Sequence, residues 1–462
     1  MKNDRPCVLV YNPISGHGHL DSWNAMFVAL LLERGWRVLA LTPDEPALMS
    51  RLAQKGIVAS PRLQVLDWNA HTSRLKVFLQ SVWRRWDAFG DKFYYRRPGS
   101  EATPDMTFLM YWKTQFFQAV VPFLFRASYF LYTHYRRSVA PANVATGGID
   151  LERDLADPME LALRTRAALK KAKWKPALGF NMYMDTYRTR PESWDTFDAL
   201  NQLPWAGIRF VPTDTLREAW YALPSFRGMC FLDENVCRIY REALPGKHFA
   251  YLPDITETGL PDTPGELARE IRHRAAGRKI VFLGGSIGGQ KNLARWYELI
   301  GLADPAQWFF VQIGEIHRGT LTAEDLAALD LALDAPPENL MLHAEYLPDE
   351  RAFNEIIAAS DILFAVYRDF RISSNMLGKA AHFRKPLLAS DRYLMGERIT
   401  RYGVGRAVSE DNAARMLNGL SIIASDPIPA ENFARYCVDF STRALAEHLD
   451  CFLSKCLKLE VL

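Results

Sequence analysis

The stretch that most constrains the fold of this chain runs from Asp361 to Glu397. It opens with an apolar run, Ile362 to Val366, continues through a polar turn and a short amphipathic segment, and closes with a second apolar run at Pro386 to Ala389. Two short apolar runs on either side of an amphipathic segment predict strand, loop, helix and strand. The chain is therefore expected to contain a parallel α/β sheet.

The loop of this stretch carries polar residues where its helix should begin, namely Ser373, Ser374 and Asn375. Their side chains can cap the helix and leave free backbone N–H groups at its start. Such a helix end attracts phosphate. The alternative is an ordinary capped helix without a ligand.

A second loop of the same kind lies upstream, after an apolar run at Lys279 to Leu283. It contains several small or glycine residues and one lysine: Gly284, Gly285, Ser286, Gly288, Gly289 and Lys291. Glycines let the backbone approach a ligand closely. The loop is not a P-loop, because Gln290 replaces its last glycine and Asn292 replaces its Ser or Thr. Two such loops in one α/β domain predict a nucleotide diphosphate between them.

The N-terminal segment predicts another β-loop-α-β unit. A strand at Cys7 to Tyr11 precedes a glycine- and histidine-containing loop, a helix from about Ser22 to Glu33 and a strand at Trp36 to Leu41. The turn from Asn12 to Gly16 also fits the first-strand turn of lipid kinases. Those kinases need a later Gly-Gly-Asp-Gly segment, which this sequence lacks.

Length and composition predict two folded domains, because 462 residues exceed the size at which one core stops growing. A polar segment at 254–262 is the expected linker. We expect an N-terminal domain at 1–255, a C-terminal α/β domain at 256–430 that contains both phosphate-binding loops, and a helical tail at 431–462 that packs back toward the N-terminal domain. The six cysteines show no metal-ligand spacing, and the N-terminus has no signal-peptide core, so a reduced cytoplasmic protein is expected.

The segment from about 71 to 140 differs in composition from the rest of the chain. It contains eleven Lys or Arg against four Asp or Glu and is crowded with aromatic residues, while Phe116 to Tyr135 carries one charge, Arg126. Aromatic rings with basic residues suit the headgroup layer of an anionic membrane. We expect a helical insertion that lies on the membrane without crossing it. The alternatives are internal packing of the aromatics or single-stranded nucleic-acid binding, for which the chain has no recognisable module.

Several motifs together resemble the GT-B glycosyltransferases, nearest to family 4. The resemblance rests on ordered short segments: Gly16-His17-Gly18-His19, Arg34 to Val38, Gly284 to Lys291, Tyr346-Leu347-Pro348, Ala380 to Ser390, Met395-Gly396-Glu397 and Tyr402 to Gly405. It implies an α/β fold of two Rossmann-like domains facing a cleft. Retaining members carry two glutamates ahead of the Lys385-Pro386 strand, where this chain has Arg371 and Lys379. Arg371 to Asn375 is similar instead to an Arg-x-x-x-Ser-Ser-Gly segment of some bacterial members.

The resemblance assigns roles to particular residues. The nucleotide-sugar donor would be held by Gly284, Gly285, Ser286, Lys291, Tyr346, Arg371, Ser373, Ser374, Asn375 and Glu397. Lys291 and Arg371 would stabilise the diphosphate without a metal, and Glu397 would bond a ribose or sugar hydroxyl or cap a helix. His17 and His19, with Asp21 as orienter, are the candidate catalytic residues, since histidine titrates near neutral pH.

The expected function is transfer of a sugar from a UDP-, GDP- or ADP-sugar to a lipid-linked sugar or glycolipid. The protein would associate peripherally with an anionic membrane at the cytoplasmic face and would not bind nucleic acid. A nucleotide-sugar epimerase of the same fold and a non-catalytic scaffold are the alternatives.

Overall fold

The computed structural model describes residues 5–12, 20–67, 158–187, 191–201, 203–211, 218–347 and 349–458. The chain forms two compact units. The first comprises Met1–Cys230, Arg238–Phe249 and Phe452–Leu462, and the second comprises Phe231–Cys237 and Ala250–Cys451. The insertion expected at 71–140 lies outside the described residues, as do His17 and His19.

The N-terminal part of the chain alternates strands and helices around one sheet. Its elements are β1 (Cys7–Tyr11), α1 (Leu20–Glu33), β2 (Arg37–Thr42), α2 (Glu45–Gln54), β3 (Leu63–Asp67), α3 (Pro158–Leu169), β4 (Leu178–Asn181), α4 (Pro191–Leu200), β5 (Trp205–Arg209), β6 (Phe226–Phe231), α5 (Glu234–Ala243) and β7 (His248–Tyr251). The strand order is β3-β2-β1-β4-β5-β6-β7. β1 pairs in parallel with β2 and β4. The predicted β-loop-α-β opening is therefore confirmed.

The C-terminal part repeats this alternation around a second sheet. Its elements are α6 (Glu266–Ala275), β8 (Lys279–Gly284), α7 (Leu293–Leu302), β9 (Trp308–Ile313), α8 (Ala323–Asp334), β10 (Leu340–His343), α9 (Glu350–Ala359), β11 (Ile362–Ala365), α10 (Asn375–His382), β12 (Leu387–Ser390), α11 (Tyr393–Tyr402), β13 (Gly405–Val408), α12 (Ala413–Ser425), α13 (Ala430–Asp439) and α14 (Thr442–Lys458). The order is β10-β9-β8-β11-β12-β13, all pairs being parallel.

Continuous apolar runs form the central strands of the second sheet. Ile362–Ala365 is buried at every position, as is Leu387–Ser390. Trp296 of α7 lies against the sheet, with ring-centroid distances of 5.3 Å to Phe310 and 4.8 Å to Phe364. Strands covered by helices on both faces are apolar on both faces. This explains why runs without alternation predicted the sheet correctly.

The C-terminal tail is helical, as predicted, but it consists of two helices. α13 ends at Asp439 and α14 begins at Thr442. Leu445, Leu449 and Leu453, which recur at helical spacing, are buried. Residues through Cys451 belong to the second unit and the remainder to the first.

The order of strands in both sheets creates a point at which successive connections leave in opposite directions. In the first sheet this point lies between β1 and β4, and in the second it lies between β8 and β11. Ligands of open parallel α/β sheets bind in the crevice at the carboxyl ends of the strands that flank such a point. The loops after β8 and β11 are therefore the expected position of a ligand site in the second unit.

Candidate functional site

The two loops that the sequence singled out follow neighbouring strands of the second sheet. β8 pairs with β11, with Val281 opposite Ile362 and Phe282 opposite Leu363. The Arg368 backbone N–H donates to the Gln290 carbonyl at 2.9 Å, so the loops also touch beyond the strand ends. Together they line the carboxyl edge of the sheet at its switch point.

The glycine loop after β8 adopts a backbone conformation that favours glycine. Gly285 adopts φ +93°, in the left-handed region. At the end of the adjacent strand β9, a Cβ on Gly314 would lie 1.8 Å from the Gly285 carbonyl oxygen. The two backbones therefore pack directly against each other, and Ser286 is left exposed on the outside of the loop.

Lys291 points back over this glycine loop. It ends a short 3₁₀ turn, Gly289–Lys291, and its Nζ donates to the Gly284 carbonyl at 3.0 Å and to the Tyr367 hydroxyl at 2.8 Å. The ammonium also lies 4.1 Å from the centre of the Tyr367 ring. An ammonium has three N–H donors, and within the described residues two of them are bonded. One donor is available to a ligand at the carboxyl edge.

A buried frame behind Lys291 joins the two loops. Asn292 has φ +59° and is almost fully buried, and its side-chain nitrogen donates to the Glu410 carbonyl at 2.7 Å. Arg368 donates to the Asn292 side-chain oxygen at 3.0 Å and to both carboxylate oxygens of Asp325 at 2.7 and 2.9 Å. This frame fixes the loop after β11 against the turn that carries Lys291.

The pKa of Asp325 reflects this frame. Burial of the Asp325 carboxylate raises its pKa, but hydrogen bonds from Arg368, the Ala294 N–H and Thr322 outweigh burial and bring it to about 2. The pKa of Arg368 is raised, first by its hydrogen bonds to Asp325. Both groups are therefore charged across the physiological pH range.

Arg371 lies at the surface of the same edge. Its guanidinium pairs with the Asp369 carboxylate at 3.4 Å and lies 4.8 Å from the centre of the Tyr393 ring. The Tyr393 hydroxyl donates to Asp369 at 2.5 Å. Because the side chain of Arg371 is 64% exposed, its remaining donors face solvent and can reach an anion.

The start of α10 is capped as the sequence predicts. Ser374 is the N-cap residue, and its hydroxyl accepts a hydrogen bond from the Met376 N–H at 3.3 Å, with Asn375 as the first helical residue. Ser373 accepts a hydrogen bond at 2.8 Å from Arg398, whose side chain is buried and also pairs with Glu234 at 3.0 Å. Since Arg398 occupies the Ser373 oxygen as acceptor, the Ser373 O–H remains a donor.

Two further residues that were predicted to bind the nucleotide-sugar donor lie apart from these contacts. Tyr346 follows β10 and is 64% exposed. Glu397 lies in the second turn of α11, where it accepts a hydrogen bond from the Asn235 side chain at 2.7 Å. The helix begins at Tyr393, so the alternative that Glu397 caps a helix start is wrong. Its contact with a ribose or sugar hydroxyl stays a prediction.

A buried lysine, Lys379, occupies one of the two positions at which the resemblance to retaining family 4 members would place a glutamate. Lys379 is fully buried and bonds the Glu257 carbonyl at 3.0 Å, the Glu350 carboxylate and the Asn354 side chain. Burial lowers its pKa, while Glu350 opposes that change. Lys379 therefore stabilises the packing of α10 against α9 and has no free donor for a ligand among its described contacts.

The predicted catalytic residues fall in the first unit. Of the three, the structure describes only Asp21, which is 8% exposed and lies in the first turn of α1. Its carboxylate is close enough to Tyr183 to raise the pKa of that phenol, after the larger effect of burial. Whether Asp21 orients His17 or His19 stays a prediction.

Two other features are absent from the described residues. No group of three or more His, Cys, Asp or Glu side chains there is arranged to hold a metal ion. In the same part of the chain, no helix combines the length and apolar character required to cross a bilayer.

Sequence reasoning missed several residues that build this edge, namely Asn292, Asp325, Tyr367, Arg368, Tyr393, Arg398 and Glu410. Three of them had a local signal: Tyr367 and Arg368 directly follow the apolar run of β11, and Asn292 directly follows Lys291. The other four gave no local signal, because most of their partners come from distant segments.

Comparison with known proteins identifies the fold. No protein-family model matches the chain, and no curated protein matches it in sequence. Among solved structures, an α,α-trehalose-phosphate synthase (UDP-forming) from Burkholderia vietnamiensis matches with a TM-score of 0.55 at 12% identity, covering 98% of this chain and 97% of that one. Anabaena HepE, in complex with UDP and glucose, gives 0.56 at 9% identity, covering 97% and 100%. The lipopolysaccharide outer core galactosyltransferase WaaB gives 0.53 at 8% identity, covering 97% and 98%.

These matches span nearly the whole of both chains. The expected fold class is confirmed: this is an α/β protein of two Rossmann-like units with the GT-B fold of glycosyltransferases.

Proposed function

We propose that the protein is a glycosyltransferase that uses a nucleotide-diphosphate sugar as donor. The observation that carries the proposal is Lys291, held over the glycine loop by Gly284 and Tyr367 at the switch point of the second sheet, with one N–H available. A cationic hydrogen-bond donor at the switch point of an open α/β sheet suits a diphosphate.

The reaction develops charge where the positive groups of this edge lie. The bond between the anomeric carbon and the diphosphate oxygen breaks, the acceptor oxygen bonds that carbon, and the acceptor proton passes to a base. Negative charge grows on the departing nucleotide. Lys291, Arg371, the Ser373 hydroxyl and the start of α10 would stabilise it. We propose that these groups do so without a metal ion.

A UDP-sugar is the donor that we favour. The solved structure of HepE holds UDP and glucose, and the trehalose-phosphate synthase is described as UDP-forming. Both match the fold of this chain over nearly its whole length. The glycine loop, Tyr346 and Glu397 are the proposed contacts to the rest of the nucleotide sugar.

The acceptor that we propose is a lipid-linked sugar or glycolipid at the cytoplasmic face of a membrane. The aromatic and basic composition of residues 71–140 supports it. WaaB, which has the same fold, is described as a lipopolysaccharide galactosyltransferase. In this proposal His17 or His19, oriented by Asp21, takes the acceptor proton.

Nucleotide binding tests the donor site first. We expect UDP to bind measurably in a calorimetric and thermal-shift comparison with GDP, ADP and CMP, and Lys291→Ala to weaken it by about 30- to 100-fold, the effect of removing one charged hydrogen bond. Lys279→Ala is the matched control. Lys279 is 54% exposed and begins β8, the strand whose opposite end leads into the glycine loop.

Equal binding by wild type and Lys291→Ala would refute the assignment of Lys291. Absence of binding by every nucleotide would refute the donor site and favour a non-catalytic scaffold.

Product analysis distinguishes the enzyme classes. With a UDP-sugar and membrane extract, a transferase releases UDP only when an acceptor is present. An epimerase converts the nucleotide sugar without any acceptor. Sedimentation with vesicles that contain anionic lipid, compared with neutral vesicles, tests the membrane association separately.

A further inference from the structure

One buried carboxylate at the carboxyl edge of the second sheet is not part of the proposed anion site. Glu410 follows β13 by two residues and is 3% exposed. A buried carboxylate is retained only when hydrogen bonds and opposite charge compensate for its lost hydration. Its partners therefore show what it does.

The partners of Glu410 come from three loops that precede it in the chain. One carboxylate oxygen accepts from the Asp369 N–H at 3.2 Å, after β11, and from Arg392 at 2.9 Å, after β12. The other accepts from the Ser390 hydroxyl at 2.8 Å. The Glu410 carbonyl accepts from Asn292, after β8, at 2.7 Å. This one residue thus joins the loops after four strands.

The same loops contain left-handed backbone at residues other than glycine. The described chain has five such residues: Ala276, Asn292, Asp369, Arg384 and Tyr393. Asn292 and Asp369 bond Glu410 directly, and Tyr393 follows its partner Arg392. Left-handed backbone costs free energy for residues with a side chain and persists where surrounding contacts hold it. Glu410 supplies such contacts.

We propose that Glu410 is a positioning residue for the anion site. In this role Glu410 does not contact the nucleotide sugar. By holding the Asp369 N–H and Arg392, it sets the Asp369 carboxylate and the Tyr393 ring, and these two groups hold the guanidinium of Arg371. The proposal rests on the proposed function, in which Arg371 binds the diphosphate.

The test compares Glu410→Gln with a matched variant, Glu355→Gln. Glu355 is also a buried carboxylate of the second unit, 8% exposed, and it accepts from the Gly265 N–H at 2.9 Å, in contact with α6 and not with the loops at the carboxyl edge. Two readouts are measured on full-length protein. They are hydrogen exchange of the peptides covering 366–374 and 388–394 without ligand, and the Kd for UDP.

We expect Glu410→Gln to speed exchange in both peptides and to weaken UDP binding by about tenfold, less than Lys291→Ala because Glu410 acts on the site only through Arg371. Glu355→Gln should leave both the exchange of those peptides and the Kd for UDP unchanged. Glu410→Ala should exceed Glu410→Gln in both readouts.

A folded Glu410→Gln protein with exchange like wild type and a Kd within twofold of it would overturn the positioning role. If wild type binds no nucleotide, the proposed function fails, and exchange alone then decides the role of Glu410: faster exchange in both peptides supports it and unchanged exchange overturns it.

Discussion

The two sheets have the same order of their first six strands, and the first sheet adds a seventh, but the side chains at their carboxyl edges differ. Each edge has an asparagine near its switch point. Asn12 directly follows β1 in the first unit, and Asn292 follows the glycine loop after β8 in the second. Both are buried. Asn292 bonds through both of its amide atoms, whereas neither amide atom of Asn12 has a hydrogen-bond partner in the described parts of the chain.

The same contrast holds for their neighbours. In the second unit, charged side chains pair with one another around Asn292, with Arg368 on Asp325 and Arg392 on Glu410. In the first, the side-chain nitrogen of Asn181, at the end of β4, is also buried and unpartnered among the described residues. A buried polar group without a partner costs about 1–3 kcal/mol. The side chains around Asn292 are thus partnered, whereas Asn12 and Asn181 have unpartnered side-chain atoms among the described residues. Gln312 and the Arg398 Nε of the second unit are unpartnered there too.

The largest expected effect breaks this comparison with one substitution made at both edges. Asn292→Leu removes bonds to Glu410 and Arg368 and places a branched side chain at φ +59°, so we expect a loss of about 3–5 kcal/mol in the free energy of unfolding. Asn12→Leu removes no bond within the described residues and should change it by less than about 1 kcal/mol. Urea denaturation measures both.

An equal loss for Asn12→Leu would mean that Asn12 has a strong partner in solution. The two asparagines would then have equally strong hydrogen-bond partners, and the comparison would fail.

The second expected effect concerns the charge of the frame. Asp325→Asn removes the negative partner of Arg368, and because Arg368 is 29% exposed we expect a loss of about 2–3 kcal/mol at neutral pH. The folded pKa of Asp325, about 2, lies below the ordinary value of 3.8. Its contribution to stability is therefore fully present above pH 3.8 and is lost as the pH falls toward 2.

The measurement is the Tm of wild type and Asp325→Asn from pH 7 to pH 2. The difference should be constant down to about pH 4 and then shrink, since acid protonates the wild-type carboxylate and makes it resemble the variant. A difference that stays constant to pH 2 would contradict the proposed cause.

The sequence predicted those parts of this edge that depend on local patterns. Apolar runs located β8, β11 and β12, glycines located the loop that ends in Lys291, and Ser374 located the cap of α10. Backbone preference and capping act over a few residues. They can therefore be read from one segment at a time.

The frame could not be predicted, because its contacts join segments far apart in the chain. Asp325 lies 43 residues before Arg368, and Asn292 lies 118 residues before Glu410. Lys379 shows the same limit. The resemblance to family 4 predicts a glutamate at this position, yet the chain has a lysine that Glu350 and Asn354 hold in the core. Which distant side chain meets which is decided by strand order and register, and local sequence does not encode these.

The smallest expected effect sharpens the comparison at Lys291. Tyr367→Phe removes the hydroxyl that accepts from Lys291 at 2.8 Å but keeps the ring, whose centre is 4.1 Å from the ammonium, and keeps the Gly284 carbonyl at 3.0 Å. The lysine loses part of its fixed geometry but keeps its charge and its other contacts, so we expect UDP affinity to fall by only about two- to fivefold. Calorimetry measures this change.

The matched control is Tyr402→Phe, which removes a hydroxyl that donates to Asp439 at 2.7 Å in the same unit, away from the two loops. It should lower the Tm and leave UDP affinity unchanged. Tighter binding by Tyr367→Phe would show that the tyrosine competes with the phosphate for the ammonium. The Tyr367 hydroxyl would then hold Lys291 away from the phosphate, and the hydrogen bonds of the second edge would oppose nucleotide binding at this residue.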